Sequence, residues 1–378
     1  MAKITGQTAI PKESSARLKQ LRKRLRDAGL DALLILNPTD THYLTGFSGE
    51  DSWTLVHARA GGVGGGVVIL SDGRFDEQIR REAPWAKAVM RDKGLSDELA
   101  KWVGSRKTLE RIGTQPGRVT LPLRKALTKA LGAKAWDFGF DDGLAKQRAI
   151  KDAGEVRRIE KALRIQEKAF EETIGVLTPG MTELEACAEL EYRMKRAGSL
   201  RPSFETIVAA DANAAMAHAR PGTTKLKRKG LVLFDWGAVV DGYCSDMTRV
   251  VGLGGMKRKM REVYEIVLEA QLAGIAAVKP GVSFADADAA ARKVIEDAGY
   301  GEAFSHSLGH GLGLDIHEWP GLSKRQKGVF EVGMVVTIEP GIYLSGVGGI
   351  RIEDDVLVTA KGCRVLSRLP KTLDWAII

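Results

Sequence analysis

The sequence predicts a mixed α/β (α+β) protein of two domains, an α/β domain over residues 1–145 and a larger domain over 146–378. Three observations carry this reading. Short apolar strands alternate with helical patterns through about residue 140, the arrangement of a sheet covered by helices. A capped amphipathic helix then opens a new unit at Asp152. Beyond it, further helices are interleaved with strands that hold carboxylates inside otherwise apolar runs. A chain of 378 residues is long enough to bury two ordinary cores.

The first predicted element is a helix over Arg17–Arg26, RLKQLRKRLR, where Leu18, Leu21 and Leu25 recur at helical spacing beneath basic residues. Its basic face is expected to be solvated. DALLILNPTD reads as a short buried strand ending in a turn, followed by THYLTGFSG and the strand-like SWTLVHA. The glycine run GGVGGG at 61–66 leads into VVILSDGRF. It lacks the GxGxxG spacing and does not sit between a strand and a helix, so it reads as a hairpin loop and not a phosphate cradle. From Asp152, with Glu155 three residues on, a capping box precedes the helical stripe Ile159, Ala162, Leu163, Ile165 and Ala169. Further helices are expected at 182–197, 257–278 and 283–298.

Composition narrows the function. A hydrophobic fraction of 44% with 28% charged residues describes a globular chain. The net charge of +9 comes from Lys and Arg scattered among nearly as many acids, with no aromatics interleaved to stack bases, so no nucleic-acid partner is expected. No apolar run reaches membrane-spanning length and MAKITGQTAIPKESSAR has no apolar signal core, so neither a membrane association nor export is expected. Cys187, Cys244 and Cys363 are widely spaced without a CxxC, which fits a reducing cytoplasm.

The chemistry concentrates in the second domain. Leu231–Val250, LVLFDWGAVVDGYCSDMTRV, reads as a hairpin that turns at Asp241-Gly242 and carries Asp235 on one arm and Asp246 on the other. A carboxylate inside an apolar strand must be hydrogen-bonded, ion-paired or bound to a cation. For one aspartate, pairing with Arg249 or a lysine would suffice, but the pattern recurs. VVTIEPG places Glu339 on the face of Val335 and Thr337, and GGIRIEDDVLV places Arg351 and Glu353 on one face. Between lies SHSLGHGLGLDIHE, with His310 flanked by glycines and His317 seven residues on. Two Asp, two Glu and a His form a donor set for a pair of divalent ions such as Mn²⁺, Co²⁺ or Zn²⁺. No HExxH is present, which excludes a mononuclear zincin.

The order Asp235, Asp246, His310, Glu339, Glu353, in the contexts DWGAVVDGYCSDMTR, GHGLGLDIHE, IEPGIY and GGIRIEDDV, resembles the metallopeptidase family of prolidases, Xaa-Pro aminopeptidases and methionine aminopeptidases. The resemblance implies a pita-bread catalytic domain in which Asp235 binds one metal, His310 and Glu339 the other, and Asp246 and Glu353 both. NPTDTHYLTGFSG and SDGRFDEQ resemble the creatinase-like amino-terminal domain of the proline-handling branch, which frames the active-site mouth and helps to dimerise.

His218, in FETIVAADANAAMAHARPG, and His317, in DIHEWP, match the family's two substrate-contacting histidines. By position alone His218 would read as an ordinary hydrogen-bonding residue. His306 is assigned a supporting role. Arg351 is expected to orient Glu353 or to bind a substrate carboxylate, with a structural pair to Asp354 or Asp355 as the alternative. Asp211 and Ala217 stand where the family commonly has glycine and proline, which bears on the shape of the His218 loop. The implied activity is hydrolysis of the amino-terminal Xaa-Pro bond of dipeptides or short peptides by hydroxide formed between two metal ions. The resemblance further implies that Glu339 is the proton acceptor and that the enzyme is a homodimer, and a cytoplasmic location is expected. The alternatives are a same-fold hydrolase of a small metabolite and a non-catalytic peptide-binding module.

Overall fold

The computed structural model describes residues 9–141 and 143–378, so the reading of residues 1–8 as part of a chain start without a signal core lies outside it. The chain divides into two compact units between Gln147 and Arg148. Among the described residues, no helix is long and apolar enough to cross a membrane.

The first unit is built on a six-stranded sheet, in spatial order Lys87–Met90, Val67–Ser71, Trp53–His57, Ala32–Ile35, Ile112–Thr114 and Trp136–Asp137. Strand alternation sends Val68 and Leu70 to one face, where they pack with Leu99, Val103 and Leu127 from helices Leu95–Gly104 and Leu121–Leu131. Ile69 goes to the other face, with Phe47 and Ile79.

The basic helix spans Lys12–Asp27, with Leu18, Leu21 and Leu25 fully buried. Lys19, Lys23, Arg24 and Arg26 are exposed, as a solvated basic face requires, but one basic residue departs from it. Arg22 is buried and donates to the carbonyls of His57 at 3.1 Å and Gly65 at 2.6 Å. Arg26 donates to Ala58 and Arg17 to Tyr43, both at 2.8 Å. Arg22 lies four residues after Leu18, hence on the apolar stripe. There its donors satisfy the carbonyls of the glycine-rich loop between Trp53–His57 and Val67–Ser71.

The segment after Ala32–Ile35 also differs from expectation. A helix, Pro38–Thr45, replaces the turn, with Asn37 accepting from the Thr39 amide at its start, Pro38 at the first helical position and left-handed Gly46 at its end.

The second unit holds four long helices, Ala153–Ile174, Glu183–Arg196, Arg258–Ala277 and Phe284–Asp297. The Asp152–Glu155 capping box forms as predicted. These helices accompany a three-stranded antiparallel sheet (Met247–Gly252, Leu231–Trp236, Ile207–Ala210) and a five-stranded one (Glu318–Leu322, Gly309–Gly311, Val335–Ile338, Asp354–Thr359, Gly362–Val365). A ribbon of Gly341–Leu344 and Gly348–Arg351 completes the strands flanking the site. Leu233, Val250, Val263, Phe284, Val336, Ile338 and Val356 belong to one core. Trp236 stacks on Phe170 with ring centroids 4.2 Å apart and donates its indole N–H to the Gln166 carbonyl, fastening the first of these helices to the hairpin.

The predicted hairpin is present. Asp241 and Gly242 both adopt positive φ (50° and 84°), as a two-residue turn matched to strand twist requires. The ladder is interrupted near its middle, where a Cβ on Gly237 would stand 1.9 Å from the Ser245 carbonyl oxygen; only glycine permits that approach.

Candidate metal centre

Three of the four predicted carboxylates sit where one strand ends and another begins. Asp246 falls between Tyr243–Cys244 and Met247–Gly252, Glu339 between Val335–Ile338 and Gly341–Leu344, and Glu353 between Gly348–Arg351 and Asp354–Thr359. The run GGIRIEDDVLV is therefore two strands paired to different partners, not one continuous strand. Two of the breaks are held by backbone bonds, the Glu339 amide to the Leu308 carbonyl at 2.8 Å and the Glu353 amide to the Thr248 carbonyl at 3.2 Å, while the Asp246 amide donates to Asp355 Oδ2 at 3.3 Å. Asp235 lies inside Leu231–Trp236, opposite Thr248. His310 is the middle residue of Gly309–Gly311, beside a register shift.

These elements bring the acids and the imidazole together. Asp246, His310 and Glu353 each present a ligand atom within 4.8 Å of the other two. His310 Nε2 lies 3.5 Å from Asp246 Oδ2 and 3.4 Å from Glu339 Oε1. Its Nδ1 is 3.1 Å from the Gly311 carbonyl, which can only accept, so Nδ1 carries the proton and Nε2 keeps a free lone pair. Burial first, and then the neighbouring His317, pushes His310 down to about 4, so it stays neutral.

Asp235 Oδ1, Asp246 Oδ1 and Glu353 Oε1 are buried without a hydrogen-bond partner. Burial, followed by the charges of Glu353 and Asp235, holds the Asp246 carboxyl well above the usual carboxylate range; burial, then Glu339 and Asp235, does the same to Glu353. Glu339 is pushed up to about 8, chiefly by burial. Orphaned buried oxygens, mutual repulsion and an oriented imidazole lone pair form a site that fits divalent cations.

The remaining predicted residues border this cluster. His317 is exposed, its ring edge-on to His310 with centroids 4.4 Å apart. His218 is exposed on a loop whose Ala217 carbonyl accepts from Arg351 Nη1 at 3.3 Å. Arg351 does not pair with Asp354 or Asp355. It donates to Asp235 Oδ2 (2.5 Å), Thr248 Oγ1 (3.0 Å) and the Tyr343 hydroxyl (2.7 Å), and Thr248 passes the contact on to Glu353 Oε2 at 2.8 Å. Arg249 takes Asp354, so neither hairpin aspartate uses it.

Tyr343 and Thr248 are neighbours of the cluster that sequence reasoning missed. Thr248 carries a signal, a polar residue on an apolar strand with no exposure. Tyr343 lies within 2.8 Å of His306 Nε2, while His306 Nδ1 faces the Ser307 carbonyl. Burial lowers His306 to about 4, so the neutral ring protonates Nδ1 and accepts the Tyr343 hydroxyl at Nε2. A row His306–Tyr343–Arg351–Asp235 results, with every donor matched to an acceptor. The Asp211 departure also has an account. Asp211 takes a positive φ of 49°, which aspartate tolerates, and its Oδ1 accepts the Leu231 amide.

Metal removal has a pH signature. Without cations, Glu339, Asp246 and Glu353 hold their protons to higher pH in the folded protein than in the unfolded chain, because burial disfavours their charged forms. The protein binds more protons folded than unfolded between the ordinary carboxylate range and about 8, so its stability falls as pH rises through that window. Cation loading follows the opposite trend, because the ligands must be deprotonated. Thermal scans should show the metal-free protein melting roughly 5 °C or more higher at about pH 5.5 than at about pH 8, with the gap between loaded and free protein widening as pH rises.

Fold and site together define a metal-dependent hydrolase. Residues 157–360 match metallopeptidase family M24 and residues 17–150 match the creatinase/prolidase amino-terminal domain. An Xaa-Pro dipeptidase of Pyrococcus furiosus is 35% identical over 365 residues, 94% of this chain and 99% of the relative. Among solved structures, an Xaa-Pro dipeptidase from Bacillus anthracis is similar with TM-score 0.89 and 36% identity, covering 97% of this chain and 100% of that one. An X-Pro aminopeptidase from Thermotoga maritima is similar with TM-score 0.88 and 36% identity, covering 96% and 99%. The chain belongs to metallopeptidase family M24, with the creatinase/prolidase amino-terminal domain and the pita-bread catalytic fold that the sequence resemblance implies.

Proposed function

We propose that this protein hydrolyses the amino-terminal Xaa-Pro bond of dipeptides or short peptides, using two divalent ions drawn from Mn²⁺, Co²⁺ and Zn²⁺. The observation that carries the reading is the convergence of Asp246, His310 and Glu353, with Asp235 and Glu339 beside them and three buried carboxylate oxygens without a partner. Asp235 would hold one ion, His310 and Glu339 the other, and Asp246 and Glu353 would be shared between them. Such a pair of ions supplies a nucleophile from water near neutral pH and polarises the scissile carbonyl.

The protein's own groups do the rest. Glu339 Oε1 is engaged by Thr337 Oγ1 at 3.2 Å, which leaves Oε2 to take the proton released as water attacks. His317, whose ring meets that of His310 edge-on, donates to the developing oxyanion in this reading. His218 meets the substrate on the leaving-group side, where a proline nitrogen has no hydrogen to offer the enzyme. Arg351 holds Asp235, and through Thr248 holds Glu353, so its fork orients two ligands. A homodimer in a reducing cytoplasm completes the reading; among the described residues the three cysteines are unpaired.

The test is hydrolysis of Ala-Pro, Ala-Pro-Ala and Met-Ala-Ala by protein stripped of metal and reloaded separately with each ion. Cleavage confined to the proline substrates is the expected result, and the ratio of dipeptide to tripeptide rates separates dipeptidase from aminopeptidase. Loaded protein that cleaves none of them would replace this reading with a small-metabolite hydrolase.

A further inference from the structure

The loop bearing His218 is long and rich in small residues; Ala214 and Ala219 are buried in it while His218 itself is exposed, and a substrate-contacting histidine needs a fixed position. Its two ends converge on one buried side chain. Glu183, the first residue of helix Glu183–Arg196, is 1% exposed. Its Oε1 accepts from the Ala210 amide at 2.7 Å and from Asn213 Nδ2 at 2.9 Å, and its Oε2 accepts from the Gly222 amide at 3.0 Å. Ala210 and Asn213 lie at the outgoing end of the loop and Gly222 at the returning end.

The clasp is reciprocal. The Glu183 and Leu184 amides, which have no partner inside their own helix, donate to the Thr224 and Gly222 carbonyls, each at 3.0 Å. Asn213 Nδ2 also reaches Thr224 Oγ1 at 2.9 Å. Among the described residues no cation pairs with Glu183; three convergent N–H groups take that place. Nearer the site, Arg351 holds the Ala217 carbonyl beside His218.

We propose that Glu183 is a positioning residue for His218, fixing both ends of its loop so that the imidazole meets the substrate in one place. This rests on the reading of His218 as a substrate contact. Glu183→Gln preserves shape but turns an amide NH₂ toward donors, breaking one side of the clasp.

The test uses the full-length, metal-loaded enzyme with Ala-Pro as substrate and the variants E183Q, H218A and the double E183Q/H218A. E183Q is expected to lower kcat/KM by about 100-fold, the scale of an ångström-level misplacement, with unchanged metal content. In the H218A background the same change should cost less than about twofold, because its effect passes through the absent imidazole. Hydrogen exchange of amides 211–222 should accelerate in E183Q. Losses that multiply in the double variant, or unchanged loop exchange, would overturn the proposal. If E183Q does not fold, N213A removes one donor from the same clasp, with the same non-additivity expected at about tenfold. Wild-type enzyme inert toward every proline peptide would remove the substrate reading, and loop exchange would then decide the clasp by itself.

Discussion

Asp246→Asn is expected to fold, to lose divalent-ion loading and to lose peptide hydrolysis. Asp246 is buried, with an unpartnered Oδ1 and an Oδ2 facing His310, and it lies within ligand reach of Glu353. Asparagine keeps the shape and removes the charge that balances a cation. Lewis-acid stabilisation of this kind is worth several kcal/mol, and each ~1.4 kcal/mol is a factor of ten, so the rate should fall by at least about 10³-fold. The same change relieves repulsion among the acids, so the metal-free variant should be more stable than the metal-free wild type. Bound metal measured by elemental analysis, alongside Ala-Pro turnover, checks the first claim; full loading with full activity would refute it.

The second large effect is on stability. Arg249 has no exposed surface and makes five hydrogen bonds: to Asp354 Oδ1 at 2.7 Å and to the carbonyls of Thr248, Glu353, Leu369 and Pro370. It ties the hairpin to the strand break that carries Glu353. Arg249→Met leaves Asp354 buried against Lys371 and Gln271 alone and strands several carbonyls. Breaking a buried pair from one side costs roughly 3–5 kcal/mol. Denaturant unfolding of the metal-free protein should show that loss. Removing Arg364, which meets Glu160 on the exposed surface, should cost less than about 1 kcal/mol. Equal losses from the two substitutions would contradict this ranking.

What the sequence made legible was local or strongly typed. The Asp241-Gly242 turn, the Asp152–Glu155 cap and the leucine stripe of the first helix follow from short-range rules, and each forms. The four acids stood out because carboxylates inside apolar runs are costly, and the glycine-flanked imidazole lay between them in sequence. Sheet switching was not legible: residues 348–358 read as one alternating run, yet the chain changes partner strand at Ile352-Glu353, and alternation says nothing about which strand lies alongside. Arginine placement was hidden for a related reason. Arg22 read as a surface group, Arg249 as a local pair and Arg351 as a partner of Glu353 or of a substrate carboxylate, whereas each reaches carbonyls or acids distant in sequence. Glu183 gave no signal at all, since its three donors are collected by the loop's closure.

The proposed hydrolysis requires a pair of divalent ions. Metal-free protein titrated with Mn²⁺, with bound ions counted and Ala-Pro hydrolysis followed in parallel, tests it most directly. The predicted result is two ions per chain with hydrolysis rising as they bind; undiminished hydrolysis in metal-free protein kept under chelator would contradict it.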